Sequence, residues 1–288
     1  MSTFEGKSVI VTGSSSGIGL ATACMFASKG SNVTVCGRDA QRLQDAVTAC
    51  EDARNKAGHD NAKVISVAGD ITDQAVIKDT VEKTLDAFGR LDILVANHGV
   101  LLSKTDSTLE TWSTDTFDKT MECNVRSVVA LIKEAAPHLE INRGNIICIS
   151  SIASQIVAQR QVNYLVSKAA LDHAVRCLAL QLGPKGVRIN AINPTFVNNT
   201  RVMRDAANKM KAIGDVMAAI YQQEAPLQGQ TCGPEELVEV ILFLASNAAR
   251  FVHGQCIVVD GGLSLKGNPF NFPAVYKTFM QPPTQKTP

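Results

Sequence analysis

The chain has 288 residues, with Lys+Arg 28 against Asp+Glu 27, and 45% of its residues are apolar. Near-neutrality excludes the one-sided field that a nucleic-acid partner selects, and the apolar share excludes disordered and fibrous classes. Eight cysteines, at positions 24, 36, 50, 123, 148, 177, 232 and 256, form no C-x-x-C pair and have no histidine at zinc-finger spacing, so they read as reduced, packed thiols with no metal site.

No apolar run approaches the ~18 residues of a membrane span. Met1 to Lys7 lack the charged start and apolar core of a signal peptide, and Lys286-Thr-Pro288 is no prenylation, retention or peroxisomal signal. A cytoplasmic protein is expected.

Short runs rich in Val and Ile alternate with longer segments of helical period. In chain order the spacing predicts a strand at 8–12, a helix at 18–29, a strand at 32–36, a helix at 39–57 and a strand at 63–68. A helix at 73–88, a strand at 92–96, a helix at 114–138 and a strand at 145–150 follow. The series ends with a helix at 162–182, a strand at 187–192, a helix at 234–246 and a strand at Cys256–Val259. Gly30, Gly58 and Gly89 punctuate the early helices. Most strands are too continuously apolar for one face to meet water, so helices must cover both. The expected class is α/β, a doubly wound parallel seven-stranded sheet in one domain over residues 1–263. Residues 264–288, proline-rich and carrying Phe270, Phe272, Tyr276 and Phe279, form a tail.

The first strand runs into Thr12-Gly-Ser-Ser-Ser-Gly-Ile-Gly19 and at once into a helix. Gly13 permits the tight turn, Gly17 close approach of a pyrophosphate and Gly19 close packing of helix on strand; Ser15, Ser16 and Ile18 complete the loop. The second strand ends Cys36-Gly37-Arg38-Asp39, so the usual acidic residue for ribose hydroxyls is missing and Arg38 stands ready to pair with a 2′-phosphate. That favours NADP(H) over NAD(H). Against it, Ser16 occupies a position where a second basic residue is common among NADP(H) users, Asp39 can serve as a helix cap, and Arg38 can be a solvated surface charge.

Tyr164-Leu-Val-Ser-Lys168 places a phenol and an ammonium one helical turn apart, and a nearby cation favours the phenolate. Ser150 and Ser151 end a buried strand, where open parallel sheets bind ligands. Asn97-His98-Gly99 after the fourth strand and Asn124 in Cys123-Asn-Val125 complete the pattern.

On these motifs residues 5 to about 264 resemble the short-chain dehydrogenase/reductase family, with its Rossmann-type sheet. The resemblance implies that Thr12 to Gly19 is the cofactor loop, that Asp70, followed by Ile71, reaches the adenine, and that Asn97 and Gly99 support the cofactor pocket. It further implies a catalytic set of Asn124, Ser151, Tyr164 and Lys168. Tyr164 then moves a proton at the substrate oxygen, Ser151 bonds that oxygen, Lys168 binds the ribose and lowers the Tyr164 pKa, and Asn124 holds a water continuing the proton path. Ser151 ranks above Ser150 on the family spacing. Pro194, Val197, Asn199 and Thr200 are implied at the carboxamide. A homodimer or homotetramer is implied, through the helices at 114–138 and 162–182 and the last strand; Val128, Leu131, Leu178 and Leu182 are candidate outer positions, unless burial against the sheet explains them.

Three departures stand out: Thr195 replaces the family's Gly after Pro194, the carboxamide Thr stands one position late at Thr200, and His98 replaces Ala, as a packed ring or a nucleotide contact. Segment 195–226 is read as the substrate loop. Its stripe of Met203, Ala206, Met210, Ile213, Met217 and Ile220 suggests either an adaptable lid over a lipophilic ketone or secondary alcohol, or the core side of ordinary helices. An NAD-dependent alcohol dehydrogenase, a carbon–carbon reductase and a catalytically silent nucleotide-binding scaffold are the alternatives.

Overall fold

A computed structural model describes residues 4–102, 112–158, 161–198, 224–227 and 232–267, together with Ile220. The strands are β1 (Ser8–Val11), β2 (Asn32–Gly37), β3 (Val64–Ala68), β4 (Ile93–Ala96), β5 (Asn145–Ile149), β6 (Arg188–Pro194) and β7 (Cys256–Val259). The helices are α1 (Gly17–Ser28), α2 (Ala40–Lys56), α3 (Gln74–Phe88), α4 (Thr114–Met121), α5 (Ser127–Ile141), α6 (Val162–Leu182) and α7 (Pro234–Ala245).

The seven strands form one sheet in the order β3-β2-β1-β4-β5-β6-β7, every pair parallel. Alternation within the strands explains the two layers. Val9, Val11, Ile93, Val95, Ile147 and Ile149 pack with α1, α2 and α7, whereas Ile10, Leu94, Ala96, Ile146 and Cys148 pack with α3, α5 and α6. Both faces are covered, as parallel strands of continuous apolar sequence require. Strand order reverses between β1 and β4, and the carboxyl ends of strands beside such a switch point form the ligand crevice of open α/β sheets.

Two expectations need correction. The helix at 114–138 is broken: α4 ends at Met121, a single π turn spans Glu122–Arg126, and α5 continues through Pro137 to Ile141. No glycine or proline marks the π turn; its cause is tertiary, because the Asn124 amide is drawn across to Val100. Of the candidate outer positions, Val128, Leu131 and Leu182 are buried in the sheet-facing core and Leu178 packs against it. On α6 the exposed large apolar side chains are Val162, Val166 and Leu180. The tail beyond residue 267 lies outside the described residues.

Candidate active site

The glycine loop is held from beneath by Asn97. Its Nδ2 donates to the Thr12 carbonyl at 2.9 Å and to the Gly13 carbonyl at 3.2 Å. Ser14 ties the ends of β1 and β2, donating to the Val11 carbonyl at 2.6 Å and accepting from the Cys36 N–H at 2.9 Å. Gly13 and Gly17 take φ values of +62° and +57°, the left-handed region that glycine enters without strain. A Cβ on Gly19 would lie 2.5 Å from Asn97 Nδ2 and 2.6 Å from the Gly13 carbonyl, so the helix presses on the loop with no room for a side chain.

Ser16 precedes α1 in an extended conformation, its side chain makes no cap bond, and the first turn holds no acidic residue. The first N–H groups of α1 and the positive end of its dipole are thus open, as an anionic pyrophosphate requires. Ile18 packs on the core below. The residues present fit a dinucleotide.

At the end of β2 a Cβ on Gly37 would meet the Ser15 side chain at 3.2 Å, so an acidic residue in this position would require Ser15 to give way. Asp39 caps α2, accepting from the Arg42 N–H at 3.0 Å and pairing with its guanidinium at 2.7 Å. Arg38 is 51% exposed and lies 3.7 Å from Asp70, which also accepts from the N–H and hydroxyl of Thr72. Ile71 packs against the α3–α5–α6 core.

His98 is a packed ring. The Ser127 hydroxyl donates to the Cys123 carbonyl at 2.7 Å, so at 2.9 Å it accepts from His98 Nε2–H. His98 Nδ1 then accepts from the Thr12 hydroxyl at 2.7 Å, a tautomer assigned from the network. The ring joins the glycine loop to the helix that follows Asn124.

Around the C-terminal edge of β4, β5 and β6 the structure brings Asn124, Ser151, Tyr164 and Lys168 together. Ser151 follows β5, its Oγ accepting from the Ala153 N–H at 3.1 Å and facing the Pro194 carbonyl at 3.4 Å. Its hydroxyl also favours the ionised form of the Tyr164 phenol. Ser150 is turned away, its hydroxyl 3.5 Å from the Lys168 carbonyl. Burial pushes the Tyr164 phenol up to about 12, with Ser151 opposing. Lys168 Nζ lies 5.7 Å from the Tyr164 ring centroid and donates to the Ile149 carbonyl at 2.9 Å. Burial drives its ammonium down to about 8, opposed by Cys123, Asp172 and Cys148.

Both amide hydrogens of Asn124 are committed. Its Oδ1 accepts from the Val100 N–H at 2.8 Å, and its Nδ2 donates to the Val100 carbonyl at 2.9 Å and to Ser167 Oγ at 3.0 Å. A Cβ on Gly99 would fall 3.4 Å from Asn124 Oδ1 and 3.5 Å from Lys168 Nζ, so the backbone there passes close to both.

Pro194 ends β6, Val197 is buried, and Thr195 is buried with a hydroxyl that has no hydrogen-bond partner. Asn199, Thr200 and the stripe from Met203 to Met217 lie outside the described residues; Ile220 is buried against the α1–α7 core. Sequence reasoning missed the Ile149 carbonyl that holds Lys168, and also Asn193, whose amide contacts the Ser151 carbonyl at 3.2 Å. It missed Trp112 as well, whose indole donates to Asn163 Oδ1 at 2.6 Å beside Tyr164. Only Asn193, polar at the end of an apolar strand, carried a sequence signal. Among the described residues no cluster of His, Cys, Asp or Glu could hold a metal, and no helix is long and apolar enough to cross a membrane.

The family model described as Enoyl-(Acyl carrier protein) reductase matches residues 13–264. The chain is 33% identical over 266 residues to (+)-cis,trans-nepetalactol synthase of Nepeta racemosa, covering 90% of this chain and 91% of that one. It is 33% identical over 260 residues to the mitochondrial (−)-isopiperitenol/(−)-carveol dehydrogenase of Mentha piperita, covering 90% and 93%. A short-chain dehydrogenase/reductase of Caenorhabditis elegans, solved with cofactor, superposes with a TM-score of 0.80 at 34% identity, over 91% of this chain and 97% of that one. With the parallel sheet and the open glycine-loop helix, these matches place the chain in the short-chain dehydrogenase/reductase family, oxidoreductases that use NAD(P)(H).

Proposed function

We propose that the protein transfers a hydride between NADP(H) and a lipophilic ketone or secondary alcohol, with Tyr164 as the acid/base. The observation that carries this reading is the convergence of Ser151, Tyr164 and Lys168 at the carboxyl end of β5, with the Ser151 hydroxyl 3.4 Å from the Pro194 carbonyl and the Lys168 ammonium 5.7 Å from the Tyr164 ring. A bound nicotinamide supplies or takes the hydride at the substrate carbon. Tyr164 gives or takes the proton at the substrate oxygen, and Ser151 bonds the same oxygen while charge develops on it. A phenol held near 12 cannot act as a base at neutral pH unaided, so Lys168, charged below about 8, stabilises the phenolate. Because one acceptor, the Ile149 carbonyl, engages the ammonium, N–H groups remain for a ribose hydroxyl. Both Asn124 amide hydrogens are spent on Val100 and Ser167, so a water in the proton path held at Asn124 donates to it and does not accept from its side chain.

Preference for the 2′-phosphate rests on Gly37 and Arg38. The Arg38–Asp70 contact is exposed and long, worth at most about 1 kcal/mol, so a phosphate with its greater charge can displace the carboxylate. The same contact favours the second reading, an NAD(H) enzyme in which Asp70 retains Arg38. A lipophilic substrate is supported by the methionine-rich stripe of the substrate loop and by the isopiperitenol/carveol dehydrogenase among the relatives. Exposed Val162, Val166 and Leu180 on α6 support self-association as a homodimer or homotetramer.

Oxidation of NADPH and NADH should be followed against ketones, diketones, quinones and steroids. Tyr164→Phe should lower kcat/KM about 1,000-fold with cofactor binding retained. Arg38→Ala should weaken NADPH about tenfold and leave NADH within about threefold. Retained turnover in Tyr164→Phe overturns the acid/base assignment, and equal weakening of both cofactors overturns the NADP(H) preference.

A further inference from the structure

We infer that Asp172 and Asn193 form a positioning pair behind the Ser151–Tyr164–Lys168 set: the buried Asp172 carboxylate holds Lys168 in its charged form, and Asn193 couples that carboxylate to the strand end bearing Ser151. The inference rests on Lys168 belonging to the active site, and it adds two residues to that reading.

Asp172 follows Lys168 by one turn of α6, so both point to the same side of the helix. They are 2% and 4% exposed. Asn163 and Ser167 are the other polar residues on the buried side of α6, and Leu165, Leu171, Val175, Ala179 and Leu182 make the remainder apolar. An isolated carboxylate there is costly and calls for a compensating charge or hydrogen bonds. Asp172 Oδ2 accepts from Asn193 Nδ2 at 2.6 Å, while Oδ1 has no hydrogen-bond partner. Asn193 Nδ2 also lies 2.8 Å from Ser154 Oγ and 3.2 Å from the Ser151 carbonyl. One amide therefore joins the carboxylate of α6 to both residues that turn the chain after β5.

The groups around the pair identify the source of the charge. Lys168 faces the Tyr164 ring, the thiols of Cys123 and Cys148, and Asp172. Asp172 faces Lys168 and the thiols of Cys148 and Cys256; Arg176 reaches Cys256 Sγ at 3.6 Å from the exposed side. Thiols are neutral at pH 7, and burial pushes Cys148 up to about 12 and Cys256 to about 11. Among these groups Asp172 supplies the negative charge. It does so from one turn away, while the ammonium is held by the Ile149 carbonyl. A direct ion pair would occupy the N–H groups that a ribose needs; a carboxylate acting through space leaves them available.

The test is the titration of Lys168 in the full chain without cofactor, followed by NMR of 13Cε-labelled lysine and assigned with Lys168→Arg. The wild-type midpoint is expected near 8. Asp172→Asn should lower it by about 1 pH unit, and Asp172→Asn with Asn193→Asp, which returns a carboxylate to the pair, should bring it back toward wild type. Kinetics at pH 8 should show kcat reduced about fivefold in Asp172→Asn, as the charged fraction of Lys168 falls, with KM for the ketone little changed. Should Asp172→Asn fail to fold, Asp172→Ser keeps an acceptor for Asn193 and carries the same expectation. An unchanged Lys168 midpoint in a folded variant overturns the inference while leaving an active enzyme's reading intact. Absence of carbonyl turnover in the wild type overturns the proposed function, and the Lys168 midpoint still decides the electrostatic pair.

Discussion

The two ends of the sheet treat buried charge in opposite ways. At the amino end Asp92, just before β4, accepts from the Ser8 N–H at 3.0 Å, from Arg90 through two bonds of 2.7 Å, and from Lys7 at 3.2 Å. At the carboxyl end Lys168 touches one carbonyl and Asp172 one amide. The first arrangement saturates a carboxylate and clamps β1 to β4. The second leaves donors unspent, and spare hydrogen-bonding capacity beside a crevice is what ligand binding uses at some cost in stability.

Lys168→Met tests that cost most directly. The folded ammonium titrates near 8 against an ordinary 10.5, so the unfolded chain binds the proton more tightly. Stability therefore rises as pH climbs from 8 toward 10.5, and below 8 the penalty is present in full, up to about 3 kcal/mol. The Met variant should lose activity yet resist urea better than wild type at pH 7, and the difference should close near pH 10.5. A variant less stable than wild type at pH 7 would show that the attraction of Asp172 exceeds the burial cost of Lys168, and the contrast between the two ends would weaken.

Asp92→Asn should act with the opposite sign. Burial pushes this carboxyl up, but the bonds from Arg90 and the Ser8 N–H, with the charges of Lys7 and Arg90, outweigh it and leave the group below its ordinary 3.8. Its contribution is thus complete above pH 3.8 and disappears as pH falls through the lower folded value. Urea unfolding at pH 7 should show a loss of about 2 kcal/mol, because the partners are half-exposed and recover water. As pH falls through that lowered value the two proteins should converge.

The same division separates what was legible in the sequence from what was not. Strand alternation, helix period, the glycine loop and the Tyr164–Lys168 spacing are local patterns, and all seven strands and the main helices lie within a few residues of their expected places. Gly19 announces its own close packing because no other residue fits there. The features that escaped depend on partners far apart in the chain. His98 bonds Thr12, 86 residues away, and Ser127, 29 away, and nothing local tells a packed imidazole from a nucleotide contact. The π turn at Asn124 exists because its amide pairs with Val100, 24 residues earlier. Asp172 shares its side of α6 with Lys168, but its meaning comes only with Asn193, from a strand 21 residues further on. The Arg38–Asp70 pairing likewise joins the ends of two strands that only the sheet order brings side by side.

The smallest effect is expected at a pair whose geometry is as good as that of Asp92. On α3, Lys83 Nζ lies 2.7 Å from Asp79 Oδ2, the same length as the Arg90–Asp92 bonds. The acid precedes the base by four residues, the favourable order along a helix. Here, however, both side chains are open to water, 54% and 42% exposed, whereas Asp92 is 3% exposed. Water screens the attraction and solvates either ion alone, so the pair is worth about 0.3–0.5 kcal/mol. Lys83→Ala removes it but substitutes the best helix former, which returns part of that amount. The urea midpoint should move by less than about 0.5 kcal/mol equivalent and stay flat from pH 5 to 9, and salt should erase the remainder. A loss as large as that of Asp92→Asn would mean that bond length, rather than removal of the carboxylate from water, sets the value of an ion pair in this fold. The distinction between the clamped and the reactive ends of the sheet would then have to rest on geometry alone.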